Sequence, residues 1–207
     1  MKFATSSAAL SVAALAGTTL AVPMQHSAEL YPRNGRDSGP GEFSAVNPRD
    51  VIFPQVTSQY NVGTGAVSFN TNFGEVDKYT SNGGNDITSL VTFSIPSYPS
   101  GFTCELVFDL DSTRGVSGSA SAQVFASLAP ATATTSTWPQ GNQRDQYVGT
   151  LKALSGERAT WDLPASTRQF PCSDAVGRLY GGELVPTGDN DHISWVPGVD
   201  GPKIVVY

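Results

Sequence analysis

The chain has 207 residues, of which 39% are apolar and only 14% charged, and its formal charge is −6. An acidic chain without a cluster of Lys and Arg gains no counterion-release energy on a phosphate backbone, which disfavours nucleic acids and anionic membranes as partners. The apolar share is enough for one real core, with solubility resting on Ser, Thr, Asn and Gln.

Residues 1–21 read as a secretory signal peptide. Lys2 precedes an apolar run through Ala8-Ala9-Leu10 and Val12-Ala13-Ala14-Leu15, and Thr19-Leu20-Ala21 offers the small residues that signal peptidase requires. The run, about 14 residues, is too short for a membrane span of roughly 20. The C-terminal Lys203-Ile204-Val205-Val206-Tyr207 lacks the hydrophobic tail of a GPI-type anchor. The expectation is a secreted, extracellular protein with no membrane anchor. Residues 22–50 include Tyr31-Pro32-Arg33-Asn34-Gly35, turn formers without apolar period, and predict a flexible tail or linker.

From residue 51 to 207 short β-like runs alternate with turn signals. Val51-Ile52-Phe53 opens the series, and Tyr60-Asn61-Val62 meets Ala66-Val67-Ser68-Phe69 across Gly63-Thr64-Gly65 in a predicted hairpin. Apolar residues alternate with polar ones through Val91, Phe93 and Ile95, through Cys104, Leu106, Phe108 and Leu110, and through Ala122, Val124, Ala126 and Leu128. Further runs cover 147–154, 159–163, 179–185, 193–196 and 204–207. About ten short strands with one apolar and one polar face, and no amphipathic helix, predict an all-β, antiparallel sandwich of jelly-roll type. Ala129-Pro130-Ala131-Thr132-Ala133-Thr134-Thr135-Ser136-Thr137 predicts an exposed connection, a candidate for O-glycosylation over 129–137. No Asn-x-Ser/Thr acceptor occurs.

Cys104 and Cys172 are the only cysteines, and in an oxidising compartment they predict one disulfide. Their separation of 68 positions makes such a link worth about 4 kcal/mol in the chain-entropy model. A thiolate metal site lacks partners, because His26 sits in the tail and His192 stands alone.

Candidate chemistry is sparse. With no Gly-x-Ser-x-Gly elbow, His192 reads as a surface or loop-end histidine rather than the base of a hydrolase. A glycosidase needs two flanking carboxylates; Glu105 and Glu183 are the candidates among Glu75, Glu105, Glu157 and Glu183, against a reading as outward strand positions. Asp189 and Asp191 in Gly188-Asp189-Asn190-Asp191 are candidate Ca²⁺ ligands, with Asp109 and Asp111 as possible contributors, although the same residues make an ordinary turn. No other cofactor is expected. Trp161 and Trp195 alternate with apolar residues and read as core, whereas Trp138 before Pro139 is the candidate for exposed ligand stacking.

Several blocks carry a resemblance: Val51-Ile52-Phe53-Pro54-Gln55-Val56, Tyr60-Asn61-Val62-Gly63-Thr64-Gly65, Leu90-Val91-Thr92-Phe93-Ser94-Ile95-Pro96 and Cys104-Glu105-Leu106-Val107-Phe108. Trp138-Pro139-Gln140-Gly141-Asn142, Phe170-Pro171-Cys172 and Gly201-Pro202-Lys203-Ile204 continue it. In this order they resemble the fungal ubiquitin 3 binding protein "But-two" C-terminal domain over nearly all of 51–207. The resemblance implies a fungal protein whose paired Cys104 and Cys172 match the family's, and it supplies no catalytic residue. The family name points to a ubiquitin-like activation pathway inside cells, which the signal peptide opposes. The sequence therefore favours a secreted, non-catalytic protein that binds an extracellular polysaccharide or protein. A carboxylate-dependent carbohydrate-active enzyme and the intracellular pathway partner are the alternatives.

Overall fold

Fourteen strands run through the residues that the computed structural model describes, 48–137 and 144–207. The expected signal peptide, most of the expected tail and Trp138 lie outside them. In chain order the first strands are β1 (Asp50–Ile52), β2 (Val56–Asn61), β3 (Val67–Ser68), β4 (Gly74–Tyr79) and β5 (Ile87–Ser94). Next come β6 (Thr103–Asp109), β7 (Val116–Gly118), β8 (Ser121–Ser127), β9 (Arg144–Lys152) and β10 (Thr160–Trp161). The last are β11 (Gln169–Pro171), β12 (Leu179–Pro186), β13 (Asn190–Trp195) and β14 (Gly201–Val206). Two 3-10 turns, Ala165–Thr167 and Cys172–Ala175, flank β11.

All pairings are antiparallel, as the alternation predicts. A small sheet runs β1-β14-β6-β11, and a larger, curled sheet runs β10-β9-β8-β12-β5-β4-β13-β7, with β2 paired to β5 and to β3. The β2–β3 pairing is the hairpin expected across Gly63-Thr64-Gly65. Cys104 and Cys172 are bridged, tying β6 to the end of β11.

The core lies between the sheets. Val91 and Phe93 of β5, Val124 of β8, Leu184 of β12 and Ile193 of β13 meet Cys104, Phe108, Ile204 and Val206 from the small sheet. Trp195 packs edge-on against Phe108 at 5.5 Å. Two glycines make room for that indole: a Cβ on Gly74 would come within 2.0 Å of it, and one on Gly201 within 2.2 Å.

Three strands had no apolar alternation to announce them: β4, β7 and β11. In β4 the only buried apolar side chain is Val76. The expectation of one polar face per strand also fails at the centre. Thr88, Leu90 and Thr92 point away from the core side of β5 yet are at most 2% exposed, and all six residues of β14 are buried. The 129–137 connection is not wholly exposed either. Ala131 is buried and Pro130 lies against the backbone of Gly181, while Ala133, Thr134, Ser136 and Thr137 stay exposed.

One irregularity shapes the molecule. Between the pairs Val124↔Gly149 and Ser127↔Arg144, three steps along β8 correspond to five along β9. Extra residues bend the bulged strand and raise its twist. The bulged half of β9 carries Gln146 and Val148 to the rim of a cleft between the two sheets.

Candidate functional site

The cleft begins with small residues in the middle of β12. Gly181-Gly182 sits between β8 and β5, where most strands place branched or aromatic side chains. Gly181 is small because Ser127 and Pro130 crowd one side: a Cβ there would meet them at 2.9 and 3.0 Å. Gly182 pairs directly with Ala126 of β8, and both line the cleft. Missing side-chain volume at this pair leaves space that Val91, Phe93 and Leu184 do not fill.

The resulting cleft has a volume of about 440 Å³, within the range of roughly 300–1,000 Å³ typical of small-molecule sites. Its walls are mainly apolar: Val91, Phe93, Val124, Leu151 and Leu184 from the large sheet, Leu106, Phe108 and Ile204 from the small one. Trp161, Phe170 and Tyr180 add aromatic surface. The last two stack with centroids 5.5 Å apart and planes 9° from parallel, and the Tyr180 hydroxyl donates to the Asp174 carbonyl at 3.2 Å. The Thr167 hydroxyl donates to the carbonyls of Val148 and Pro164 at 3.2 and 2.9 Å, joining the approach to β11 with β9.

A few polar groups interrupt these walls, Arg168 above all. Its Nη2 lies 3.2 Å from Glu105 Oε1, its Nη1 donates to the Leu163 carbonyl at 3.2 Å, and its guanidinium lies 4.9 Å from the Trp161 ring centre. Gln169 donates to the second Glu105 oxygen at 3.0 Å. The buried Nε–H of Arg168 has no hydrogen-bond partner, an omission worth about 1–3 kcal/mol. Among the residues lining the cleft there is no histidine or cysteine, and Asp174 is the one carboxylate.

The glycosidase candidates are placed differently from the expectation. Glu183, on β12, is 1% exposed and its Oε2 accepts from Arg144 Nε at 2.6 Å. Its Oε1 accepts from Arg144 Nη2 at 3.0 Å and from the Thr88 hydroxyl at 2.6 Å. Glu105, on β6 in the other sheet, is 8% exposed and held by Arg168 and Gln169. Neither is an outward, solvated strand position. Each is buried because an arginine neutralises it, and an unpaired carboxylate could not be.

The calcium candidates do not converge. Asp191 is fully buried, accepting from the Ser119 hydroxyl and the Gly188 N–H, while Asp189 is exposed. Asp109 pairs with Lys203 at 2.6 Å, and Asp111 caps its own turn by accepting from the Thr113 N–H and hydroxyl. Trp195 is core, as read, while Trp161 forms cleft wall.

His192 is neither loop-end nor a plain surface residue. It sits in mid-β13, half-buried, with Nδ1 3.0 Å from Asp77 Oδ1 and 3.7 Å from Glu75 Oε1. Burial, then the charge of Asp77, pushes the Glu75 carboxyl above its ordinary range, and His192 offsets part of that. Glu75, Asp77 and His192 are the one group of three potential metal ligands among the described residues. The sequence reading missed this group and the cleft. Their signals were a Glu-x-Asp pair at strand period and two adjacent glycines inside an apolar run.

A family model described as "Ubiquitin 3 binding protein But2 C-terminal domain" matches residues 53–197. No curated protein matches the chain.

Proposed function

The chain belongs to the Ubiquitin 3 binding protein But2 C-terminal domain family, and from that premise we propose that it is a secreted fungal binding protein whose inter-sheet cleft takes a small, largely apolar ligand. One observation carries the reading: a cleft of about 440 Å³ with apolar and aromatic walls and an arginine in its lining. Apolar walls gain about 25 cal/mol for each Å² removed from water. Arg168, which lines the same space, offers its guanidinium to a ligand that carries an acceptor. A polysaccharide, rich in hydroxyls, would leave those groups unpaired against Val91, Phe93 and Leu184. The signal peptide read in residues 1–21 and the Cys104–Cys172 bridge support an extracellular setting.

The test uses the full chain, leader included, expressed in a secreting fungal host. Protein recovered from the medium, lacking the leader, is extracted with organic solvent and the extract analysed by mass spectrometry. A near-stoichiometric apolar compound is expected, and stripped protein should bind a fluorescent fatty acid. No bound compound together with no uptake of the probe refutes the reading. The family description favours a second reading, a partner in an intracellular ubiquitin-like pathway. Recovery of the full-length chain inside the cell, with the leader intact, would favour that one instead.

A further inference from the structure

On the outer face of the large sheet, away from the cleft, two carboxylates and an imidazole converge without a fixed cation. Glu75 and Asp77 are two apart on β4, so their side chains share a face, with Val76 between them in the core. His192 of β13 pairs directly with Asp77, and Ser194 with Glu75. Adjacent, hydrogen-bonded strands thus hold all three groups, with their donor atoms within 4.8 Å of one another. Each side chain keeps between 23 and 31% of its surface exposed, enough for an ion to enter.

Charge makes the arrangement unusual. Among the described residues no Lys or Arg comes within 4.0 Å of either carboxylate, and His192 is their sole basic neighbour. Glu105, Glu183, Asp109 and Asp200 each have an arginine or lysine. Two carboxylates thus share a half-buried site with one imidazole, an arrangement that an entering cation stabilises. We propose that Glu75, Asp77 and His192 bind one divalent transition-metal ion of the zinc class.

The distances fit. A tetrahedral zinc with bonds of about 2.0–2.1 Å separates its ligand atoms by about 3.3 Å. The separations from His192 Nδ1, 3.0 Å to Asp77 and 3.7 Å to Glu75, bracket that value. Three protein ligands leave a fourth position for water or a second molecule. The imidazole nitrogen selects for zinc and its neighbours over calcium, which takes 6–8 oxygen ligands. The site is independent of whatever fills the cleft.

Chelator-treated full-length protein, titrated with Zn²⁺ by calorimetry, should take up one ion per chain at micromolar concentration, and the same titration with Ca²⁺ should give no heat. His192→Ala and the isosteric Asp77→Asn should each weaken Zn²⁺ binding at least tenfold, as ligand losses must when outer-shell changes already cost 10–100-fold. His26→Ala, the only other histidine in the chain, should leave it unchanged. Asp77→Asn keeps the shape and guards against misfolding, which circular dichroism checks. No Zn²⁺ uptake by the unmutated protein, or undiminished uptake by both variants, overturns the proposal.

Discussion

Breaking the Cys104–Cys172 link should destabilise the domain and loosen one wall of the cleft together. The bridge spans a sequence separation of 68 residues, and closing a loop of that length removes denatured-state entropy worth about 4 kcal/mol at 25 °C. For a domain of this size each kcal/mol moves the melting temperature by about 2–4 °C, so a fall of about 8–16 °C is expected. The structure says where the loss begins. β11 has three residues and one neighbouring strand, β6, and beyond it the Cys172 N–H bonds only the Phe102 carbonyl, at 3.0 Å. Arg168 and Phe170, which line the cleft, lie on that stapled stretch. Melting curves with and without reductant, alongside the Cys104→Ala/Cys172→Ala double variant, give the magnitude. Hydrogen exchange over residues 165–175 gives the location, with faster exchange expected there first. A melting temperature that moves by less than about 2 °C, or exchange that rises elsewhere and not in this segment, would refute the reasoning.

Other perturbations follow from the buried polar groups. Arg144→Ala leaves Glu183 buried without its cation and should cost about 3 kcal/mol in urea denaturation, the low end for a broken buried pair because Arg144 is 42% exposed. Glu183→Leu, which strands no buried charge, should cost less, and the opposite order contradicts the account. Burial, with the 2.6 Å hydrogen bond to Asp50 adding to it, pushes the Tyr98 phenol up to about 12 from 10.0. The neutral phenol is the form the fold favours. Its contribution is therefore whole below pH 10 and is lost as pH rises through about 12. Tyr98→Phe should flatten the stability curve across that window, and an unchanged curve refutes the assignment.

Alternation of apolar residues made the sandwich legible, because strands packed against a core must repeat with period two. The same logic hid β4. Glu75 and Asp77 give it a charged outer face, and Val76 is its single buried apolar side chain, so its place is set by pairing with β13 rather than by its own hydrophobicity. That omission removed the partners of His192, which then looked solitary. Glu183 and Glu105 were legible as strand residues but not as buried ones, since Arg144 and Arg168 arrive from 39 and 63 positions away. Nor could the Asp189–Asp191 turn reveal that one carboxylate folds inward onto Ser119 while the other faces water. The cleft depends on two extra residues in β9 and on the register that sets Gly182 against Ala126, and register is a property of pairs.

Filling the space between the sheets tests most directly whether it is a ligand site. Ala126→Leu adds three carbons beside Gly182, inside the cleft. The variant should melt higher than the unmutated protein, gaining about 0.5–2 kcal/mol as cavity-filling changes do, while its affinity for the fluorescent fatty acid falls at least tenfold in the same titration. Probe binding equal to that of the unmutated protein would contradict a ligand site there.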